Sequence, residues 1–361
     1  MKHLPLATLI AAALAAPLAS AETLNVYNWS DYIAEDTIEK FTAATGIEVN
    51  YDVYDSNEVL EAKMLAGNSG YDVVVPTSDF LQRQIAAGAY QPLDKSKLGN
   101  LGNMDADLME GLAGYDEGNA HAVIYMWGTT GIGYNVDMIQ ERLGDDAPTD
   151  SWSLVFDPAV AAKLADCGIS VLDAPTELLP AAMNYLGLDP RSTEKADFEA
   201  GADLLMAVRP YIRYFHSSQY ISDLANGDVC VSVGWSGDIF QARDRADEAD
   251  NGVAVTYVIP KEGALQWFDT MAIPVDAPNP DAAHKFIDFV MDAQITADIT
   301  NYVWYANGNA ASMPLVDEEI TSDPGIFPTD AAKQNLWASK VYNARQDRTV
   351  TRLWTKVKTG Q

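Results

Sequence analysis

Apolar and polar positions alternate with two different periods along the first third of the chain. Short apolar runs that predict strands lie at residues 24–29, 47–53 and 71–76. Helical patterns lie between them: one is expected to end at Gly46, one to begin after Ser56, and one to be capped by Ser78. This alternation predicts a doubly wound α/β unit.

The same alternation returns in the second part of the chain. Strands are predicted at residues 121–127, 168–172, 228–235, 253–259 and 270–274, and helices at residues 177–186, 196–208, 237–246 and 280–291. The run from Gly128 to Asn135 contains three glycines, but their spacing does not match a nucleotide-binding loop. We interpret it as a flexible crossover between strands and a hinge.

The chain is expected to cross at least twice between these two α/β units. Two units joined in this way predict a hinged clamshell. Its two lobes are assigned to residues 22–130 plus about 255–304, and to residues 131–254 plus about 305–361. Ligands of open α/β sheets bind outside the carboxyl ends of the strands. We therefore expect a site where strand ends from both lobes meet.

Residues 1–21 match a cleavable secretory signal peptide, with Lys2 near the start and an apolar run that follows it. A membrane anchor is the alternative, but the run is shorter than the roughly 20 residues needed to span a bilayer. We expect export to the periplasm without membrane insertion. In an exported chain, Cys167 and Cys230 favour a disulfide over the alternative of two free thiols.

The charge balance is strongly acidic, with 23 Lys and Arg against 52 Asp and Glu and a formal net charge of −29. Nucleic acids and anionic lipids are bound through Lys and Arg, so neither is an expected partner. Such a surface suits cationic ligands. The alternative is that the charge serves only solubility.

Three tryptophans stand close to an acid at predicted strand ends. The pairs are Trp29 with Asp31, Trp235 with Asp238, and Trp267 with Asp269. An ammonium group over an aromatic face gains roughly 0.5–2 kcal/mol, and carboxylates supply charge-assisted hydrogen bonds. This placement favours a site for a flexible polyammonium chain. In the alternative interpretation, each Trp is packed in the core beside a solvated Asp.

Eight segments of the chain resemble the periplasmic putrescine/spermidine-binding proteins of polyamine ABC transporters. They are LNVYNWSDYI at 24–33, YDVVVPTSDFL at 71–81, GTTGIGYN at 128–135, LDAPTELLPAAMNYLG at 172–187, GDVCVSVGWSGD at 227–238, WFDTMAIP at 267–274, YANGN at 305–309 and TRLWTKVKTG at 351–360. The resemblance covers nearly the whole chain after the signal peptide. It implies a two-lobed clamshell that binds a polyamine.

The resemblance also implies roles for individual residues. It places Trp29 and Tyr32 as cleft walls, Ser30 and Asp31 as polar contacts, Thr77, Asp79 and Phe80 at the mouth, Glu177, Asp238 and Asp269 as ammonium ligands, and Trp235, Trp267 and Tyr305 as rings around the aliphatic chain. It supports the disulfide as well. The expected partners are a polyamine and a membrane permease, with no cofactor, no metal and a monomeric state.

Two positions bear on which polyamine is bound. Trp267 stands where putrescine-preferring members of the family usually have Phe, whereas Ala174 stands where spermidine-preferring members often have an acid. Asp79 could supply the charge for a third amine. Because the larger ring covers more methylene groups, we expect a preference for spermidine, with putrescine close behind.

Other functions fit the sequence less well. The run Gly234 to Asp238 resembles the nucleophile elbow of a hydrolase, but Asp238 replaces its second glycine, and we expect no enzyme activity. A clamshell for an amino acid, a sugar or a metal ion is a second alternative, and a sensor that docks on a receptor is a third. An anion site would need an Arg, which none of the expected strand ends carries.

Overall fold

The computed structural model describes residues 22–361, so the predicted signal peptide at residues 1–21 lies outside the described residues. The strands are β1 Thr23–Trp29, β2 Glu48–Tyr54, β3 Val73–Val74, β4 Ala122–Asn135, β5 Ile169–Val171, β6 Ile212–Phe215, β7 Val231–Trp235, β8 Val255–Val258, β9 Leu265–Ala272, β10 Ala306–Asn307 and β11 Trp337–Ala338.

Helices occupy most of the remaining chain. They are α1 Thr37–Thr45, α2 Asn57–Ala66, α3 Ser78–Ala86, α4 Ala106–Leu112, α5 Val136–Leu143, α6 Ser153–Phe156, α7 Pro158–Leu164, α8 Pro175–Tyr185, α9 Lys195–Val208, α10 Gln219–Asn226, α11 Ser236–Ala249, α12 Pro280–Val290, α13 Ala293–Val303, α14 Glu318–Thr321, α15 Asp330–Lys333 and α16 Ala344–Thr359. Short 3-10 segments lie at Lys95–Lys97, Leu101–Asn103, Glu117–Asn119, Gly144–Asp146, Arg209–Tyr211 and Ala310–Leu315.

One mixed sheet runs through the molecule in the order β2-β1-β3-β9-β4-β7-β5-β6. We call β1 to β3, with α1, α2, α3 and α12, the first half, and β5 to β7, with α8 to α11 and α16, the second half. The parallel strands β1, β2 and β3 pair in the first half, and β5, β6 and β7 pair in the second. The long strands β4 and β9 connect them. The lobe boundaries near residues 130, 255 and 304 stay a prediction.

The predicted glycine loop from Gly128 to Asn135 is wrong, because these residues are the second part of the continuous strand β4. Its glycines allow close packing. A Cβ at Gly128 would lie 2.8 Å from the Trp267 ring, and one at Gly131 would lie 2.5 Å from the Tyr257 hydroxyl oxygen. The absence of side chains here therefore lets two rings from the neighbouring strands β9 and β8 lie against β4.

The strand predicted at residues 270–274 is also wrong in its limits, since β9 begins at Leu265 and ends at Ala272. Trp267 and Asp269 consequently lie inside a strand and not at its end. β9 runs antiparallel to both β3 and β4. Because it crosses between the halves, its middle is level with the ends of the parallel strands.

Several helix limits follow local signals. Gly46 ends α1 in the left-handed conformation, with φ of 73°, and the Ser56 side chain accepts a hydrogen bond from the Val59 amide at the start of α2. Ser78, however, is the first helical residue of α3, and Thr77 holds the cap position. The helix α16, which the sequence analysis did not predict, packs against α8 and α9.

The predicted disulfide between Cys167 and Cys230 is confirmed. It joins the chain just before β5 to the chain just before β7, two strands that pair in parallel. Its Cα atoms are 5.4 Å apart, and it closes a separation of 63 residues. By the loop-entropy model, such a closure stabilises the second half by roughly 4 kcal/mol.

Candidate functional site

A cavity lies between the two halves, at the carboxyl ends of β1, β3 and β7. It is lined by Trp29, Ser30, Tyr32, Asn57, Thr77, Asp79, Phe80, Thr176, Glu177, Trp235, Asp238, Leu265, Trp267, Asp269, Tyr305 and Ser339. Its empty space, including the open mouth, is about 540 Å³. Twelve of the thirteen residues predicted for the ligand line it, and Asp31 does not.

Asp269 is the cavity acid that lies on a strand. Its carboxylate accepts hydrogen bonds from the Thr77 hydroxyl at 2.6 Å and the Tyr32 hydroxyl at 2.9 Å. Burial raises the pKa of Asp269 to about 7, whereas these two bonds favour the charged form and oppose the rise. Asn57 in turn donates to the Thr77 hydroxyl at 2.8 Å, which orients it.

Asp238 is the corresponding acid of the second half and lies in the first turn of α11. The Tyr220 hydroxyl donates to it at 2.7 Å and the Tyr305 hydroxyl at 2.6 Å. Burial raises the pKa of Asp238 to about 7 against the effect of these bonds. The carboxyl group is thus buried and still open to the cavity, where it can meet an ammonium group.

Two glycines next to Asp238 admit these two tyrosines. A Cβ at Gly234 would lie 2.5 Å from the Tyr220 ring, and a Cβ at Gly237 would lie 2.3 Å from the Tyr305 ring. Both distances are far below van der Waals contact, so neither ring could keep its place beside an alanine. The sequence GWSGD therefore encodes room for two hydroxyl donors around one carboxylate.

Glu177 is the third acid, in the first turn of α8. The Thr130 hydroxyl donates to it, and so does the Trp235 indole N–H, at 3.1 Å and 3.2 Å from the two carboxylate oxygens. Burial raises the pKa of Glu177 to about 8. The hydrogen bond from the Trp235 indole N–H to Glu177 fixes the Trp235 ring at the cavity wall.

Asp79 and Phe80 form the wall at the start of α3. Burial raises the pKa of Asp79 to about 6, and Arg83 opposes that rise. Asp79, Glu177 and Asp238 each lie in the first turn of a helix, where the amide dipoles favour negative charge. None of the lining residues, all of them within the described chain, is Lys, Arg or His, so a cationic ligand would meet four acids without competition from the protein.

Aromatic rings enclose the remaining sides. Trp29 and Trp235 meet edge to face across the two halves, with centroids 5.4 Å apart. Tyr32 and Tyr305 meet in the same way at 4.9 Å, and Trp267 lies 5.6 Å from Tyr305. Flat apolar faces of this kind suit methylene groups and cations alike. The Trp267 indole N–H is buried and has no hydrogen-bond partner within residues 22–361.

Asp31 lies outside the cavity lining, although it follows Trp29 and Ser30 directly. It has a positive φ of 55°, in the tight turn after β1. Its carboxylate accepts a hydrogen bond at 2.8 Å from Arg245 of α11, so it forms an ion pair between the two halves. The structure therefore places Asp31 at the rim of the site.

Several site residues were missed by the sequence analysis. They are Asn57, Thr130, Thr176, Tyr220, Leu265 and Ser339. The two glycines of GWSGD were a signal that bulky groups pack there, but nothing local indicated that Tyr220 would fill one space. Ser339 comes from the segment that adds β11 to β9.

The hydrolase alternative gains no geometric support. Ser236 Oγ accepts a hydrogen bond from the Thr129 amide at 3.4 Å. Within the described chain, His121 bonds to Asp116, His284 to the chain at Asp94 and Pro280, and His216 to backbone amides nearby.

Within residues 22–361, no helix is long and apolar enough to cross a membrane. The same residues contain no group of three or more His, Cys, Asp or Glu that could hold a metal ion.

Comparisons with known proteins agree with the predicted family. The profile of the bacterial extracellular solute-binding protein family matches residues 36–329. The chain is 56% identical over 346 residues to the putrescine-binding periplasmic protein SpuD of Pseudomonas aeruginosa, covering 96% of this chain and 94% of that protein. It is 51% identical over 354 residues to the putrescine-binding periplasmic protein PotF of Escherichia coli, covering 98% and 96%.

Solved structures share the fold. A Listeria monocytogenes protein provisionally described as a spermidine/putrescine ABC transporter superimposes with a TM-score of 0.84 at 32% identity, covering 94% of this chain and all of that one. The spermidine/putrescine ABC transporter substrate-binding protein PotD of Streptococcus pneumoniae superimposes with a TM-score of 0.74 at 27% identity, covering 94% and 99%. The predicted two-lobed α/β fold is confirmed. With matches of this extent and identity, the chain belongs to the family of bacterial extracellular solute-binding proteins.

Proposed function

We propose that this protein captures a polyamine in the periplasm and delivers it to a membrane permease of an ABC transporter. The observation that carries the proposal is the cavity itself. Four acids, Asp79, Glu177, Asp238 and Asp269, face one space that is walled by aromatic rings and lined by no basic side chain of the described residues. A chain with ammonium groups at both ends and methylene groups between them complements this arrangement.

The choice among polyamines is supported by the names of relatives and by one residue of the cavity wall. The relatives at 56% and 51% identity are named as putrescine-binding proteins, so the expected preference for spermidine is not supported by them. A relative in Escherichia coli that is 31% identical over 340 residues, covering 92% of each chain, is named as spermidine/putrescine-binding. We therefore place putrescine first and retain Trp267 as the residue that would extend the range to spermidine.

Binding would proceed by closure of the two halves on the ligand. An ammonium group brought into the cavity favours the charged form of the acids and draws the walls of both halves together. The support for delivery to a permease comes from the names of the two solved structures, which are ABC transporter proteins. A monomeric state and periplasmic location complete the proposal; the relatives named above are periplasmic.

Calorimetric titration of the purified protein tests the proposal. Putrescine, spermidine, cadaverine and agmatine would be titrated at pH 8, with arginine, glutamate and maltose as controls. We expect at least one polyamine to bind saturably at one site per chain. We expect no binding of arginine, glutamate or maltose. Binding of a control in preference to every polyamine, or no binding of any polyamine, would overturn the proposal.

A further inference from the structure

A second ion pair between the halves lies behind the cavity wall, at Arg83 of α3. Its guanidinium Nη1 donates to Asp347 Oδ1 at 3.1 Å. Arg83 belongs to the first half, since α3 packs against α2 and β9. Asp347 lies in α16.

The helix α16 is attached firmly to the second half. It packs against α8 and α9, and the indole N–H of Trp354 donates to Asp173 at 2.7 Å, just after β5. The ring of Tyr342, shortly before the helix, meets Phe198 of α9 edge to face at 5.3 Å. The Arg83–Asp347 contact therefore joins one half to the other.

Arg83 is held in place independently of that contact. Its Nε and Nη2 atoms donate to the two carboxylate oxygens of Glu61 in α2, at 2.6 Å and 2.7 Å. Its guanidinium also stacks on the Phe80 ring, 4.4 Å from the centroid. Both partners belong to the first half, so they would stay with Arg83 if the halves separated. The bidentate pair and the stacking leave Nη1 directed at α16.

The ion pair is partly shielded from solvent. The side chains of Arg83, Glu61 and Asp347 are 25%, 19% and 33% exposed. Phe80, on which the guanidinium rests, is itself part of the cavity wall.

We propose that Arg83 is a positioning residue that clasps the two halves in the closed form through its ion pair with Asp347. The Asp31–Arg245 pair also joins the two halves, with the charges exchanged. Its cation belongs to the second half, whereas the cation of the Arg83–Asp347 pair belongs to the first. The effect of the Arg83–Asp347 clasp on ligand release rests on the proposed function, since it requires that a polyamine binds in the cavity. Opening would break the bond to Asp347 and leave those to Glu61 and Phe80.

The variant that isolates the clasp is Asp347→Asn, which keeps the size of the side chain and leaves Arg83, Glu61 and Phe80 unchanged. Stopped-flow tryptophan fluorescence would measure putrescine dissociation. We expect the dissociation rate constant to rise about two- to five-fold, as for loss of one partly exposed ion pair. Asp347→Glu should return it toward the wild-type value.

The matched control is Asp166→Asn, which removes the ion pair between Arg142 of α5 and Asp166 of the segment before β5. We expect it to leave the dissociation rate unchanged. Equal rates for Asp347→Asn and wild type, or an equal rise in the Asp166→Asn control, would overturn the clasp. If wild type binds no polyamine, the proposed function fails on that result alone.

A ligand-independent measurement keeps the two proposals separable. Spin labels at Val59→Cys in α2 and Leu186→Cys after α8, both exposed positions on opposite halves, report the distance between them. We expect Asp347→Asn to reduce the share of short distances in the unliganded protein, with Asp166→Asn equal to wild type. Identical distance distributions in all three proteins would contradict the clasp, whatever the ligand.

Discussion

Asp269 and Asp238 give the two sides of the cavity one buried acid each, built in different ways. Asp269 lies on β9 and is held by Thr77 and Tyr32, which follow β3 and β1. Asp238 begins α11 and has the favourable end of a helix dipole in addition to two tyrosine hydroxyls. Nevertheless, burial raises the pKa of both acids to about 7.

This similarity teaches that burial outweighs the local support in both cases. Two hydroxyl donors, with or without a helix end, do not return either carboxyl group to the pKa of about 4 that is usual in water. The acids are therefore poised between their neutral and charged forms near neutral pH. A cationic ligand would supply the missing stabilisation of the charged form.

The largest effect is expected from removing either acid. Asp238→Asn and Asp269→Asn should each weaken putrescine binding by about 3–5 kcal/mol, because an ammonium group would be left unpaired in a buried site. Calorimetry would measure both variants. Asp31→Asn, at the rim, is the matched control and should lose far less putrescine-binding free energy. Unchanged affinity in either cavity variant would remove that acid from the site.

The next effect concerns the space around Asp238. Gly237→Ala should destabilise the protein by about 1–3 kcal/mol and displace the Tyr305 hydroxyl, because the new methyl group would overlap the ring. Thermal unfolding and calorimetry would show a lower melting temperature and weaker binding. Gly111→Ala in α4 is the control, since a Cβ there meets nothing within 4 Å. An unchanged melting temperature and affinity in Gly237→Ala would show that the Tyr305 ring moves aside freely.

A pH series would test the poised state of both acids. Below about pH 7 a proton competes with the ligand, so affinity should fall by up to about tenfold per pH unit for each carboxyl group. In the unliganded protein, the raised pKa values stabilise the fold below about pH 4, and this contribution is lost as pH rises through about 7. Titrations at pH 5.5 to 8.5 in two buffers would detect proton release on binding. Equal affinity at both ends of the range would contradict the poised state, and Asp238→Asn should release fewer protons.

The smallest effect is expected at Trp267. Trp267→Phe should shift the ratio of spermidine to putrescine affinity toward putrescine by about 1 kcal/mol, since a smaller ring covers fewer methylene groups. Paired titrations with the two ligands measure that ratio directly. An unchanged ratio would exclude Trp267 as the selecting residue.

Local signals in the sequence predicted much of the secondary structure. Gly46 ends a helix and Ser56 caps one because a left-handed conformation and a free side-chain oxygen act on neighbouring residues. The glycines of β4 were misinterpreted for the same reason. Their flexibility is a local property, whereas the need for close packing arises from the rings of Trp267 and Tyr257, which are distant in sequence.

The sequence by itself determined the family, the disulfide partners and a set of aromatic and acidic residues, because these are carried by residue types in recognisable segments. Only the tertiary structure decided how each acid is supported. Tyr32 and Asp269 are 237 positions apart and Tyr305 and Asp238 are 67 apart, so no periodic pattern links them. It also separated Asp31, held at the rim by Arg245, from the buried acids, since a turn can direct a carboxylate away from the tryptophan beside it.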